Sequence, residues 1–197
     1  ITFTNGLSGG CLISGTSNAS TFTTTPGACG GTVTETWTAM DVCGRTIPSV
    51  FRIITVSPAT LPTMTALAPI TVACGGLPAQ STIPFTNSLS GGCSISGTSN
   101  PSTFSVIPGA CGGTVLETWT APNDACGRAV ASVSRVITVS PAALPTMTAL
   151  ADITITCGTL LPAASTRPYS NGLGGNCMIS GTSNLSTFTT VLSGNCN

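Results

Sequence analysis

The sequence predicts an all-β protein built from tandem copies of one small domain. Three observations carry that expectation. Long segments recur, no stretch shows a helical period, and short runs rich in Thr, Val, Ile and Ser alternate with Gly and Pro punctuation. The recurrence is explicit: GLSGGCLISGTSNASTF from Gly6 returns as SLSGGCSISGTSNPSTF from Ser88 and as GLGGNCMISGTSNLSTF from Gly172. GACGGTVTETWTA from Gly27 returns as GACGGTVLETWTA from Gly109. Cysteines measure the period, with 82 residues from Cys11 to Cys93, 83 from Cys43 to Cys126 and 84 from Cys93 to Cys177. A period this long denotes copies of a whole domain rather than solenoid units of about 20–45 residues. Its phase divides the chain into the C-terminal part of one copy (1–58), a complete copy (59–141) and the N-terminal part of another (142–197), so the chain reads as a window on a longer array.

Each element of a copy has its own signal. A strand ends in cysteine at Ile70 to Cys74 and again at Ile153 to Cys157. A Pro-broken strand, a GGC or GNC turn and the ISGTSN segment follow. Next comes the clearest feature, a hairpin from Thr32–Ala39 and Ser49–Val56, in which strict alternation puts Val33, Glu35, Trp37 and Ala39 on one face. Folding the chain back around Cys43-Gly44 sets Trp37 against Val50, Glu35 against Arg52, and Val33 against Ile54. The second copy gives the same pairs around Cys126: Trp119 with Val133, Glu117 with Arg135, and Val115 with Ile137. Trp37 and Trp119 are therefore expected in the core, and Glu35–Arg52 and Glu117–Arg135 are expected as cross-strand ion pairs that fix register. A catalytic carboxylate would need a second carboxylate or a base beside it.

About seven short strands with one Trp in roughly 83 residues suggest an immunoglobulin-like Greek-key β-sandwich. The linkers Val56 to Pro69 and Val139 to Asp152 are Pro-paired and read as short semi-rigid hinges, with Leu61, Met64 and Leu67 packing at the junction. Ten cysteines with no His are best read as disulfides formed outside the reducing cytosol. In the sandwich topology, the first strand's end and the penultimate strand's start share one pole. The third strand's start and the penultimate strand's end share the other. That predicts Cys74–Cys111, Cys93–Cys126, Cys157–Cys196 and Cys11–Cys43, and leaves Cys29 and Cys177 unpaired. Four cysteines allow three pairings, and this one rests on topology alone.

The inventory also excludes. Five Arg, five acidic residues, no Lys and no His give a net charge of zero, and hence no electrostatic footprint for nucleic acid. No apolar run is long enough to span a membrane as a helix. The closest cysteines are 14 apart (Cys29 and Cys43), which is not metal-ligand clustering, and Asp41, Asp124 and Asp152 stand isolated, so no metal or other cofactor is expected. Gly6-Leu7-Ser8-Gly9-Gly10 matches a nucleophile-elbow pattern but lacks a base, a helix and recurrence of the pattern in the other copies. No enzyme is expected.

The set ITITCG, NGLSGGC, ISGTSN, GACGGTVTETWTA, DACGR and RVITVSPA resembles the tandem repeats of giant cell-surface adhesins of Bacteroidota, the SprB-type gliding-motility adhesins, and is similar to hyalin-repeat (HYR) modules. The resemblance implies export by type IX secretion and display as an outer-membrane-attached extracellular filament. The implied partners are neighbouring modules of the same chain, other filaments and the motility machinery. The expected function is thus a structural segment that gives an adhesin reach and stiffness in surface adhesion or gliding. The alternative is an immunoglobulin-like module of a secreted protein that binds glycan or another surface.

Overall fold

The computed structural model describes residues 1–189; Cys196, and with it the expected Cys157–Cys196 bond, lies outside the described residues. The protein is all-β. Among the described residues helix is limited to three single 3₁₀ turns, Gly9–Cys11, Gly91–Cys93 and Gly175–Cys177, one on each GGC or GNC motif. The sequence repeat is thus a structural repeat. Each 3₁₀ turn joins two short antiparallel strands: β1 (Thr2–Thr4) to β2 (Ser14–Thr16), β8 (Pro84–Thr86) to β9 (Ser96–Thr98), and β13 (Pro168–Ser170) to β14 (Ser180–Thr182).

In every one of these pairs an aromatic ring lies across a glycine: Phe3 opposite Gly15, Phe85 opposite Gly97, and Tyr169 opposite Gly181. A Cβ added at Gly15 would come within 2.7 Å of the Phe3 ring. The glycine of ISGTSN is therefore the floor on which the ring packs, and any side chain there would displace it.

Contacts divide the chain into two units that do not follow the repeat boundaries. The first comprises Ile1–Thr65, Thr82–Pro101 and Trp119–Val133. It contains β1 and β2, and a sheet ordered β3 (Thr21–Phe22), β4 (Gly31–Met40), β5 (Thr46–Val56). It also contains a sheet ordered β6 (Thr63–Met64), β8, β9. The β4–β5 hairpin has the register read from the sequence, Val33 with Ile54, Glu35 with Arg52 and Trp37 with Val50, and a bulge follows Trp37. Met64, Ile83, Phe85, Trp119 and Val130 form its core.

The second unit comprises Ala66–Ser81, Ser102–Thr118 and the chain from Ser134 onward. Its main sheet is ordered β10 (Thr103–Phe104), β11 (Gly113–Trp119), β12 (Val133–Val139), β7 (Ile70–Val72). β7 runs parallel to β12, with Ile70 beside Ile137 and Val72 beside Val139. Val115, Ile137 and Val139 form the core here, flanked by Ile70, Val72, Leu77 and Phe104.

Three sequence expectations are corrected. The Val56 to Pro69 linker is not only a hinge, because Thr63 and Met64 form β6 and Met64 is buried against Trp119 and Phe85. Leu61 and Leu67 remain exposed. The stretch Ile153 to Cys157 is not a strand although its twin Ile70–Val72 is. β7 exists because β12 supplies its ladder, and no described strand does this for 153–155. Finally, Trp119 is fully buried, whereas Trp37 is only half-buried under the Arg52 guanidinium, 5.7 Å from its ring centre. Trp119 packs in a cluster with Met64, Ile83, Phe85 and Val130.

Candidate functional site

The recurring chemistry of this chain is its cysteines, and each described one is presented by a turn. In DACGR, Asp124 Oδ1 accepts from the Cys126 and Arg128 backbone N–H groups at 2.9 and 2.8 Å, while Arg128 Nε donates to Oδ2 at 2.9 Å. Gly127 takes φ 75°, in the left-handed region, to close the turn. Cys126 is thereby held at the tip. DVCGR repeats the arrangement, with Asp41 accepting from Cys43 N–H, Arg45 N–H and Arg45 Nε. Hydrogen bonds from the Arg45 backbone and side chain and from Cys43 N–H hold the Asp41 carboxyl below the usual carboxylate range. Burial opposes ionisation of Asp124, yet the hydrogen bonds from Arg128 and Cys126 still leave its pKa lowered.

The GGC turns use an asparagine in the same way. Asn87 Oδ1 accepts from Leu89 and Ile95 N–H, and its Nδ2 donates to the Cys93 carbonyl at 2.8 Å. Asn5 and Asn171 make the same three bonds around Cys11 and Cys177. In the GACGG turn, Gly112 sits at φ 71° with the Val139 carbonyl oxygen 2.6 Å from where a Cβ would be. That close approach admits only glycine.

Two disulfides form, Cys29–Cys126 with Cα atoms 5.2 Å apart and Cys74–Cys177 with Cα atoms 5.8 Å apart. Both join a cysteine of one copy to a cysteine of the next. This overturns the expected Cys11–Cys43, Cys74–Cys111 and Cys93–Cys126 bonds and the expectation that Cys29 and Cys177 are unpaired. Cys11, Cys43, Cys93, Cys111 and Cys157 are free and exposed. The expected bonds assumed that each copy closes its own staples. In the structure the DACGR tip meets the GAC turn of the preceding copy, and the strand-end cysteine meets the GNC turn of the following one.

The Glu–Arg pairs are present in both copies, Arg52 Nε to Glu35 and Arg135 Nε to Glu117. Their surroundings differ. Glu117 is fully buried and Arg135 nearly so, while the Arg52 side chain is 64% exposed. Each glutamate also accepts a serine hydroxyl at 2.7 Å, Ser20 to Glu35 and Ser102 to Glu117. The Ser20 hydroxyl, with Arg52, outweighs burial and lowers the Glu35 pKa. These serines, and the turn-forming Asp and Asn, were missed by sequence reasoning. Their one available signal was recurrence at fixed offsets in each copy.

Each glutamate is thus satisfied by an arginine and a serine, an arrangement suited to holding register. Among the described residues no group of three or more His, Cys, Asp or Glu is placed to hold a metal ion, and no helix is long and apolar enough to cross a membrane. Comparison with protein-family models, with characterised proteins and with solved structures returns no match to this chain.

Proposed function

We propose that this chain is a structural repeat segment of an extracellular, filamentous cell-surface adhesin, giving reach and stiffness in surface adhesion or gliding motility rather than catalysing a reaction. The observation that carries the reading is that both disulfides tie consecutive copies together. Covalent links between copies suit a shaft that must bear load and resist proteolysis, and disulfides form and persist in oxidising, extracytoplasmic settings. Near-absence of charge, with no Lys, also leaves few sites for trypsin-like proteases.

An immunoglobulin-like Greek-key arrangement within each copy belongs to the same proposal. The parallel pairing of a copy's early strand β7 with its last strand β12 supports it. With strands rising about 3.3 Å per residue, each copy of such a sandwich lengthens the array by roughly 30–40 Å. The test is small-angle scattering or electron microscopy of arrays with rising copy number. The expected result is a rod whose longest dimension grows linearly with copy number; a particle growing equally in all directions would overturn the proposal.

A further inference from the structure

We infer that the free cysteines are half-built junctions, and that every cysteine of an interior copy is bonded to a neighbouring copy of the repeat, with two disulfides per junction and none within a copy. The inference rests on the cysteine geometry and holds whether or not the array serves adhesion.

Each copy carries four cysteines: one ends a strand (Cys74, Cys157), one sits in GGC or GNC (Cys11, Cys93, Cys177), one in GAC (Cys29, Cys111), and one in D-x-CGR (Cys43, Cys126). The two observed bonds use all four types once. Cys29–Cys126 joins a GAC cysteine to the D-x-CGR cysteine of the next copy, and Cys74–Cys177 joins a strand-end cysteine to the GNC cysteine of the next. These bonds sit at successive junctions, and the two junctions share one geometry. At the first, a methyl placed on Gly27 would lie 3.7 Å from the Gly92 carbonyl oxygen; at the second, one on Gly109 would lie 3.6 Å from the carbonyl oxygen of Asn176, the residue equivalent to Gly92. Ala59 N–H donates to the Ala28 carbonyl at 2.8 Å, and Ala142 to Ala110 at the same distance. The GAC turn therefore meets the following 3₁₀ turn alike in both places, although a different disulfide locks each.

Superposing the junctions by their repeat numbering gives one junction with both bonds. It also accounts for which described cysteines are free. The partner of Cys93 would be a strand-end cysteine ahead of Ile1, and that of Cys111 a D-x-CGR cysteine beyond Asn197. Cys11 and Cys43 would take partners from a preceding copy, and Cys157 from a following one. All five are exposed, as waiting partners must be. Each new bond forms as two thiols lose two protons and two electrons to a disulfide oxidant, which leaves as two thiols.

The test extends the chain in register. Residues 59–82 fused ahead of Ile1 supply a strand-end cysteine, and residues 112–141 joined directly after Cys196, so that Gly112 takes the place of Asn197, supply a D-x-CGR cysteine. After refolding with oxidised glutathione, peptide mapping of the linked cysteines is expected to show the first added cysteine bonded to Cys93 and the second to Cys111, with Cys29–Cys126 and Cys74–Cys177 retained. Both target thiols, free and exposed in the unextended chain, are expected to be alkylated by iodoacetamide there and to lose that alkylation in the extended one. Bonding of an added cysteine within its own copy, continued alkylation of Cys93 and Cys111 while the two existing bonds are intact, or links between two chains would overturn the inference. Cys93→Ser in the first extended chain guards against a misfolding artefact. The added cysteine should then be alkylated, and its capture by any other cysteine would count against the rule.

Discussion

Asp124 shows how much one side chain does in a chain this poor in charge. It receives two backbone N–H groups and the Arg128 guanidinium, and so shapes the turn that carries Cys126. Asp124→Ala is expected to leave Cys126 at a disordered tip and slow formation of Cys29–Cys126, measured as the alkylation-sensitive fraction during oxidative refolding. Asp41, Asp124 and Glu35 all have lowered pKa values in the folded chain. Groups depressed on folding stabilise it above their unfolded pKa, here the ordinary 3.8 of aspartate and 4.5 of glutamate, and that stability is lost as pH falls through the folded values. Urea midpoints should therefore be flat above about pH 5 and fall below about pH 4.

Burial separates the two glutamates. Glu117→Ala leaves Arg135 without its buried partner and should cost about 3–5 kcal/mol in urea denaturation, while Glu35→Ala should cost clearly less because Arg52 is already in water. The pairing of these residues was legible in the sequence because charges are so sparse that a recurring Glu and Arg at matched offsets stand out. The roles of Asp124, Asn87 and Ser102 were not. A polar side chain that folds back on nearby backbone has no periodicity, and among so many Ser, Thr and Asn it has no contrast.

At the scale of elements, alternation was the dependable signal. It located β4 and β5 and their register because side chains alternate between the two faces of a strand, so that Val33, Glu35 and Trp37 must meet Ile54, Arg52 and Val50 together. A two-residue strand carries too little pattern to be read, so β6 stayed hidden in a Pro-rich linker. Strand formation at Ile70–Val72 but not at its twin 153–155 depends on a distant ladder partner, which local sequence does not contain. The glycine of ISGTSN lies inside a strand beneath an aromatic ring, a role that no alternation pattern marks. Gly97→Ala is expected to push the Phe85 ring out of the core and destabilise by about 1–3 kcal/mol in thermal or urea unfolding. Trp119→Ala should cost about 3–5 kcal/mol by the same measurement, and Trp37→Ala less, since Trp37 is half-buried and pairs with Arg52 instead of Met64.

For the whole molecule, the repeat and the disulfide-forming chemistry were legible, but the pairing was not. Within one copy the cysteines had plausible partners at either pole of a sandwich, and sequence spacing does not distinguish a partner in the same copy from its equivalent one period away. Only the turn-to-turn approach of Gly27 to Gly92 and Gly109 to Asn176 does so. The consequence is energetic as well as topological. Loops closed over 97 and 103 residues are each worth about 4.7 kcal/mol in the chain-entropy model, more than the shorter loops of within-copy bonds. The five arginines make the direct test simple. Trypsin, which cleaves after Arg45, Arg52, Arg128 and Arg135 but not before Pro168, yields cysteine-bearing peptides 1–45, 53–128 and 136–197. Mass spectrometry of a non-reducing digest of the oxidised chain is expected to find these three peptides as one linked cluster that falls apart on reduction. Three separate peptides, each with its bonds inside, would contradict copy-to-copy stapling.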